Sequence, residues 1–249
     1  MAIIIKNNTQ IQKIRTACKI VKETFEVLEP MVKPGITTRE IDAAAAKFLN
    51  KNGARPSFKN YQKYPKSICI SINDEVVHGI PGIRRLKEGD IVSIDIGAFV
   101  GGVHGDAART FACGKISKEA QHLIDVTKQA FFEAMKYARS GCFVSDISKC
   151  IQHYGESNGC SIVRELIGHG VGLQLHEEPE IPNWWGVKKR GSKLLPGMTL
   201  AIEPIFNAGA QEVDTLTDDW TVVTSDGSWS AHYENTVLIT ESEPEILTL

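Results

Sequence analysis

The sequence predicts an α+β domain built from two similar halves that meet around a central site. Amphipathic helices are interleaved with short strands along the chain. Residues 91–113 read as two β-strands joined at Gly101-Gly102, a dipeptide suited to a tight antiparallel turn. The order of elements then returns about one hundred residues later.

Taken in order, Ile11, Ile14, Ala17, Cys18, Val21 and Phe25 recur at helical spacing, so residues 8–30 form a helix that Pro30 and Pro34-Gly35 end. Thr37-Thr38-Arg39-Glu40 is an N-cap signal for a helix over 41–50, closed by Asn52-Gly53. Strands follow at 67–72, 90–100 and 103–113. Leu123, Val126, Ala130, Phe131 and Met135 mark a helix over 118–138, and another covers 144–157 before Asn158-Gly159.

The return of this order can be counted. Gly35, Ile41, Asn52 and Gly53 recur 106 positions later as Gly141, Ile147, Asn158 and Gly159. His78-x-x-Pro81 recurs 98 positions later as His176-x-x-Pro179, and Leu86, Gly89, Ile94 and Asp95 recur 108 positions later as Leu194, Gly197, Ile202 and Glu203. Residues 1–249 therefore read as a single domain with halves at roughly 8–115 and 116–249, in which Asp95 and Glu203 are equivalent, as are His78 and His176.

Composition narrows the function. A net charge of −2 over 249 residues gives no support for a nucleic-acid or acidic-membrane surface. The apolar run Ala2–Ile5 is too short for a signal peptide and no 18-residue apolar stretch exists, so a cytoplasmic location is expected. Six cysteines without a Cys-x-x-Cys read as free, mostly core thiols. Lys188-Lys189-Arg190, after Trp184-Trp185-Gly186, reads as a basic surface loop.

Chemistry gathers on acids set in apolar strand text. With the turn at 101 and 102, Asp95 faces Ala108, and Asp106 is a diagonal neighbour on the same face, roughly 7–8 Å away at the backbone. Two anions on a half-buried face are costly unless a cation lies between them. His169 in Gly-His-Gly-Val-Gly, where glycines would let the backbone pass close to an ion, Glu203 in Ala-Ile-Glu-Pro-Ile, and Glu234 before a strand at 237–240 are further candidate ligands. Taken singly, Asp106 also reads as a turn residue, Glu203 as an edge-strand acid and the glycines as a plain loop. Taken together, four carboxylates and an imidazole suit two divalent cations, with an oxygen-rich set that favours Mn, Fe or Co. His-Glu-x-x-His is absent, and His104, His122, His153 and His232 read as surface or satisfied polar residues.

The segments Asn-Asp-Glu-Val-Val-His-Gly-Ile-Pro (73–81), Ser-Ile-Asp-Ile-Gly (93–97), His-Gly-Asp (104–106), Gly-His-Gly-Val-Gly (168–172), His-Glu-Glu-Pro (176–179), Pro-Gly-Met-Thr-Leu-Ala-Ile-Glu-Pro (196–204) and Ser-Ala-His-Tyr-Glu-Asn-Thr (230–236) resemble the type I methionine aminopeptidases, in the family's order and over nearly the whole chain. With no N-terminal zinc-finger extension, the short bacterial form is the nearer likeness. The resemblance implies the pita-bread fold, with antiparallel sheet and flanking helices around a dinuclear site of Asp95, Asp106, His169, Glu203 and Glu234. It implies a metalloaminopeptidase, with Co, Mn, Fe, Zn or Ni as cofactor, that hydrolyses the N-terminal methionine from nascent proteins whose second residue is small.

By the same resemblance Glu203 shuttles a proton, His176 stabilises the oxyanion, His78 orients the scissile bond, and Phe58, Tyr61, Tyr64, Cys69, Leu175 and Trp220 form the methionine slot. Nascent-chain N-termini are the expected partners, with the ribosome as a candidate partner whose docking the sequence leaves open, a monomer and no membrane. Asn235 stands where such members commonly carry His, and Phe58 and Leu175 where other apolar residues are expected. The rivals are a proline-type aminopeptidase on the same core and a non-catalytic binding module.

Overall fold

The computed structural model describes residues 2–186 and 190–249; most of the expected basic loop at 187–190 lies outside them. Among the described residues four α-helices flank antiparallel sheets. Helix α1 (Asn8–Leu28) begins with a reciprocal cap: Asn7 Oδ1 accepts from Gln10 N at 3.0 Å and Gln10 Oε1 from Asn7 N at 2.9 Å. Helix α2 (Thr38–Lys51) starts on the Thr37/Glu40 box read from the sequence, with Thr37 Oγ1 accepting from Glu40 N at 3.2 Å. Such caps stabilise by about 1 kcal/mol each.

Helix α3 (Lys118–Ala134) stops short of the expected residue 138. Tyr137 N bonds Ala134 O and Ala138 N bonds Met135 O, so the chain tightens to i→i−3 bonding while Met135 and Ala138 stay buried. The apolar period therefore continued past the helix. Helix α4 (Val144–Ser157) falls where the spacing placed it.

The central hairpin is the longest strand pair, Ile91–Val100 against Val103–Ala112, turning at Gly101 (φ 61) and Gly102 (φ 84). Its register pairs Asp95 with Ala108 and Gly97 with Asp106, as the sequence predicts. Cys69–Ile72 and Arg55–Pro56 pair with the other edge of Ile91–Val100. Val92, Ile94, Ile96 and Ala98 point into a core shared with Val21, Phe25 and Leu28 of α1 and Ile41, Ala45 and Leu49 of α2. The alternate residues, Asp95 among them, face the other way.

A five-stranded sheet runs Glu245–Ile246, Asn235–Leu238, Thr199–Ile202, Ile167–Gly170, Glu177–Pro182. Leu200, Ile202, Val237 and Ile181 pack in a second core with Leu123, Val126, Ala130 and Phe131 of α3 and Ile147 and Ile151 of α4. Phe131 is fully buried against Phe132 and Tyr233, with ring centroids 5.3 and 5.6 Å away. Phe131→Ala is expected to cost about 3–5 kcal/mol, lowering the melting temperature by roughly 6–20 °C in a chain of this size; thermal unfolding followed by circular dichroism checks it.

The two sheets are stitched where the acids lie. Ala108 and Glu234 exchange backbone hydrogen bonds at 2.9 and 3.3 Å, and Thr236 Oγ1 accepts from Asp106 N at 3.0 Å and donates to Asp106 O at 2.8 Å. This seam joins segments about 130 residues apart.

Candidate metal centre

The seam decides which acids meet. Asn235 pairs with Ile202 and Thr236 with Ala201, and His169 pairs with Ala201 on its other side. Carried one residue further, that register sets Glu203 opposite Glu234. The strand Asn235–Leu238 starts two residues before the expected 237, because Asn235 and Thr236 are buried with polar partners rather than turned to solvent.

Asp95, Asp106, His169, Glu203 and Glu234 line one cavity of about 490 Å³, together with His78, His176 and His232. Asp106, His169 and Glu234 offer donor atoms all within 4.8 Å of one another. His169 Nε2 is 3.7 Å from Glu203 Oε1, and His169 Nδ1 lies 2.9 Å from Gly170 O, which leaves Nε2 turned to the acids. Gly168 and Gly170 flank His169 for a reason other than the one the sequence suggested. A Cβ at either would fall 2.5 Å from Ala201 O or 2.3 Å from Glu178 O, so the glycines admit neighbouring strands, not an ion.

His232 corrects the sequence reading, which placed it among surface or satisfied polar residues. It is 3% exposed, with Nε2 lying 3.5 Å from Glu203 Oε2 and 3.9 Å from Glu234 Oε2 and making no hydrogen bond. The missed signal is its spacing from Glu234: residues two apart in an extended chain share a face. Arg109 was also missed. Its guanidinium stacks over Tyr233 at 4.4 Å, donates to the Glu234 carbonyl and reaches Asn235 Oδ1 at 2.6 Å, fixing the backbone that carries Glu234. Asn235, where a histidine was expected, is thereby tied to Arg109 and to Thr248 Oγ1, 2.8 Å away.

The electrostatics of the cavity call for cations. Burial first, and then repulsion from the other acids, pushes Asp95, Asp106 and Glu234 above the usual carboxylate range; burial does the same to Glu203. Burial lowers His169 to about 3 and His232 to about 4, so the close His–Glu approaches are not ion pairs of the protein alone. Asp95 Oδ1, Asp106 Oδ1 and Glu234 Oε1 are buried without a hydrogen-bond partner. Among the described residues lining the cavity there is no Lys or Arg. Convergent, unsatisfied carboxylate oxygens beside a neutral imidazole are the donor set of a divalent metal site, and the residues present fit one.

Next to the acids lies an apolar slot. Phe58, Tyr64, Cys69 and Leu175 form one buried cluster, with Tyr61, Trp220 and Ile80, the last unforeseen, packed on it. All six residues expected in the slot line the cavity. Cys69 pairs with Asp95 in the sheet, and burial followed by the Asp95 charge holds its thiol well above the ordinary range, which leaves it a wall and not a nucleophile.

His78 sits at φ 59, a left-handed backbone that costs a non-glycine residue about 1–3 kcal/mol. The Tyr64 hydroxyl, 2.9 Å from Gly79 O, helps hold it there, and the Trp220 ring meets His78 edge-on at 6.2 Å. His176 lies at the open edge, its ring 4.3 Å from that of His169. The turn carrying Leu175 and His176 is closed by Glu177, whose carboxylate accepts from Gln174 N at 2.9 Å and from Lys6 Nζ at 2.6 Å. His104, His122 and His153 lie outside the cavity, bonded to Ser57, to Asn158 O and near Ser157.

Comparison with known proteins agrees with this geometry. The sequence pattern of metallopeptidase family M24 matches residues 12–241. The chain is 53% identical over 247 residues to a methionine aminopeptidase of Clostridium perfringens, covering 99% of each. The crystal structure of a methionine aminopeptidase from Thermotoga maritima superposes with a TM-score of 0.97 at 41% identity, covering 99% of both chains. A prolidase from Pyrococcus furiosus superposes with a TM-score of 0.77 at 26% identity, with 65% of that longer chain covered.

Proposed function

The chain belongs to metallopeptidase family M24, with the pita-bread fold, and from that premise we propose that it is a methionine aminopeptidase of the short bacterial type. It is a metal-dependent hydrolase that removes the N-terminal methionine from newly made chains whose second residue is small. The observation that carries this reading is the apolar slot of Phe58, Tyr64, Cys69 and Leu175 opening onto the carboxylate cluster. A slot that takes an unbranched apolar side chain leaves the free amine and the first peptide bond beside the acids.

Asp95, Asp106, His169, Glu203 and Glu234 would hold two divalent cations, of Mn, Fe or Co by their oxygen-rich chemistry, with Zn and Ni as further candidates. When bound, such ions supply Lewis-acid polarisation and a water acidified toward neutral pH. Glu203 accepts the proton of the attacking water and passes it to the leaving amine. His176 donates a hydrogen bond to the oxygen that gains charge, and His78 orients the scissile bond. Asp95 helps to bind the α-amine. His232 is buried beside Glu203 and Glu234, with Nε2 facing both carboxylates.

Residues 8–115 and 116–249 read as two halves of one catalytic domain, supported by separate cores under α1/α2 and α3/α4. No helix among the described residues is long and apolar enough to cross a membrane. The substrate class suits a monomeric cytoplasmic enzyme that meets nascent N-termini, near the ribosome or after release.

The test is an assay on chelated protein with Met-Ala and X-Pro peptides, each repeated after adding back Mn, Fe or Co. Methionine release restored by at least one ion, with little X-Pro cleavage, is the expected result. Preferred X-Pro cleavage would move the protein to the prolidase branch, and no restoration by any ion would end the metal mechanism.

A further inference from the structure

We propose that Tyr61 is a positioning residue for His176: its hydroxyl donates to Nδ1 and so keeps the ring proton on Nε2, the nitrogen offered to the reacting carbonyl. This rests on the reading of His176 as the oxyanion donor and adds the device that makes it one.

The geometry is direct. Tyr61 Oη lies 2.7 Å from His176 Nδ1, and the two rings are 5.2 Å apart at their centroids. A neutral imidazole carries one proton, and its partner on one nitrogen decides what the other nitrogen presents. If Nδ1 held the proton, it would donate to the phenol oxygen, and Nε2 would face the substrate as a bare lone pair that repels an oxyanion. If the phenol donates, Nε2 must carry the proton and can donate in turn. Backbone carbonyls and carboxylates commonly fix histidine tautomers in the opposite sense, by accepting from Nδ1. Here the partner is a hydroxyl, which can donate, and among the described residues it makes no other hydrogen bond.

The way the chain delivers Tyr61 points to the same role. Asn60 (φ 68), Gln62 (φ 46) and Lys63 (φ 76) are all left-handed, so the non-glycine residues on both sides of Tyr61 are held in a sparsely populated conformation. The loop that enforces this is closed by Asn60 N to Tyr64 O at 2.8 Å and Tyr61 N to Phe58 O at 2.9 Å. Packing alone does not call for it. Phe58 and Tyr64 already wall the slot from buried positions, whereas Tyr61 stands at the rim, partly exposed, with its hydroxyl on His176 Nδ1. That ring is packed by both Tyr61 and His169, with ring centroids 5.2 and 4.3 Å away.

The test is Tyr61→Phe, which removes one oxygen from a partly exposed side chain. Protein with 15N-labelled histidine rings, loaded with diamagnetic Zn and again after chelation, is compared by long-range 15N–1H correlation, with His176→Ala identifying the His176 signals. The native protein is expected to show the Nε2–H tautomer at His176, and Tyr61→Phe a mixture of both. Its kcat on a Met-Ala peptide should fall on the order of ten- to a hundredfold, less than loss of the donor itself because the ring remains. KM should stay within about twofold. An unchanged tautomer in Tyr61→Phe, an unchanged kcat, or a loss confined to KM would each overturn the proposal and leave Tyr61 a slot wall. Full kcat in His176→Ala would instead remove the reading of His176, a separate failure.

Discussion

Asp106→Asn should abolish methionine release and, in metal-stripped protein, raise the melting temperature. The side chain is 3% exposed, its Oδ1 has no hydrogen-bond partner, and its neighbours Asp95 and Glu203 oppose its charge. An amide of the same shape keeps the packing and removes a carboxyl whose ionisation the buried site opposes. With metal present the loss is a ligand, and a fall of roughly a thousandfold or more is expected, beyond the 10–100-fold typical for a residue that only supports a ligand. Without metal the substitution relieves repulsion, and a gain on the order of 1 kcal/mol, or about 2–4 °C for a chain of this length, is expected. Calorimetry of native and variant protein in chelator reads the second half. A lower melting temperature for the stripped variant would mean that the acid is structural in its own right.

His176→Ala should lower kcat by about 10²–10³ and leave KM nearly unchanged, since a donor aimed at developing charge acts in the transition state and little in the ground state. The fold should tolerate it. His176 lies at the cavity edge, and the backbone around it is held by Glu177, Lys6 and Gln174 rather than by the imidazole. Steady-state kinetics with a Met-Ala peptide separates the two parameters. A loss carried by KM alone would make His176 a binding residue.

The centre was legible in the sequence because its parts obey short-range rules. A Gly-Gly turn between two apolar runs sets the register of the hairpin, and the register sets Asp95 and Asp106 on one face. A carboxylate set in apolar strand text is costly to bury without a cation, so Glu203 and Glu234 stood out as well. The four helices were legible from their period and caps, with α3 overrun where buried residues continue through tighter turns.

What escaped depends on distant partners. His232 lies in the three-residue strand Ser230–His232, held by Ile205–Asn207 and by Thr110 Oγ1, so its two-residue spacing from Glu234 is the one local sign of its face. Arg109 clamps Asn235 across 126 positions, and Lys6 closes the His176 turn across 171. Asn235 and Thr236 fall ahead of the strand expected at 237–240, and they are buried because Arg109, Asp106 and Thr248 satisfy them. Tyr61 entered the slot through the family resemblance alone, and nothing local discloses that its hydroxyl meets a histidine 115 residues away.

The most direct measurement is anomalous diffraction at the metal absorption edge from crystals soaked in Mn or Co. Two peaks, each bounded by side-chain donors from Asp95, Asp106, His169, Glu203 and Glu234, are the predicted result. A featureless map at that position, with ions only on the surface or none at all, would contradict it.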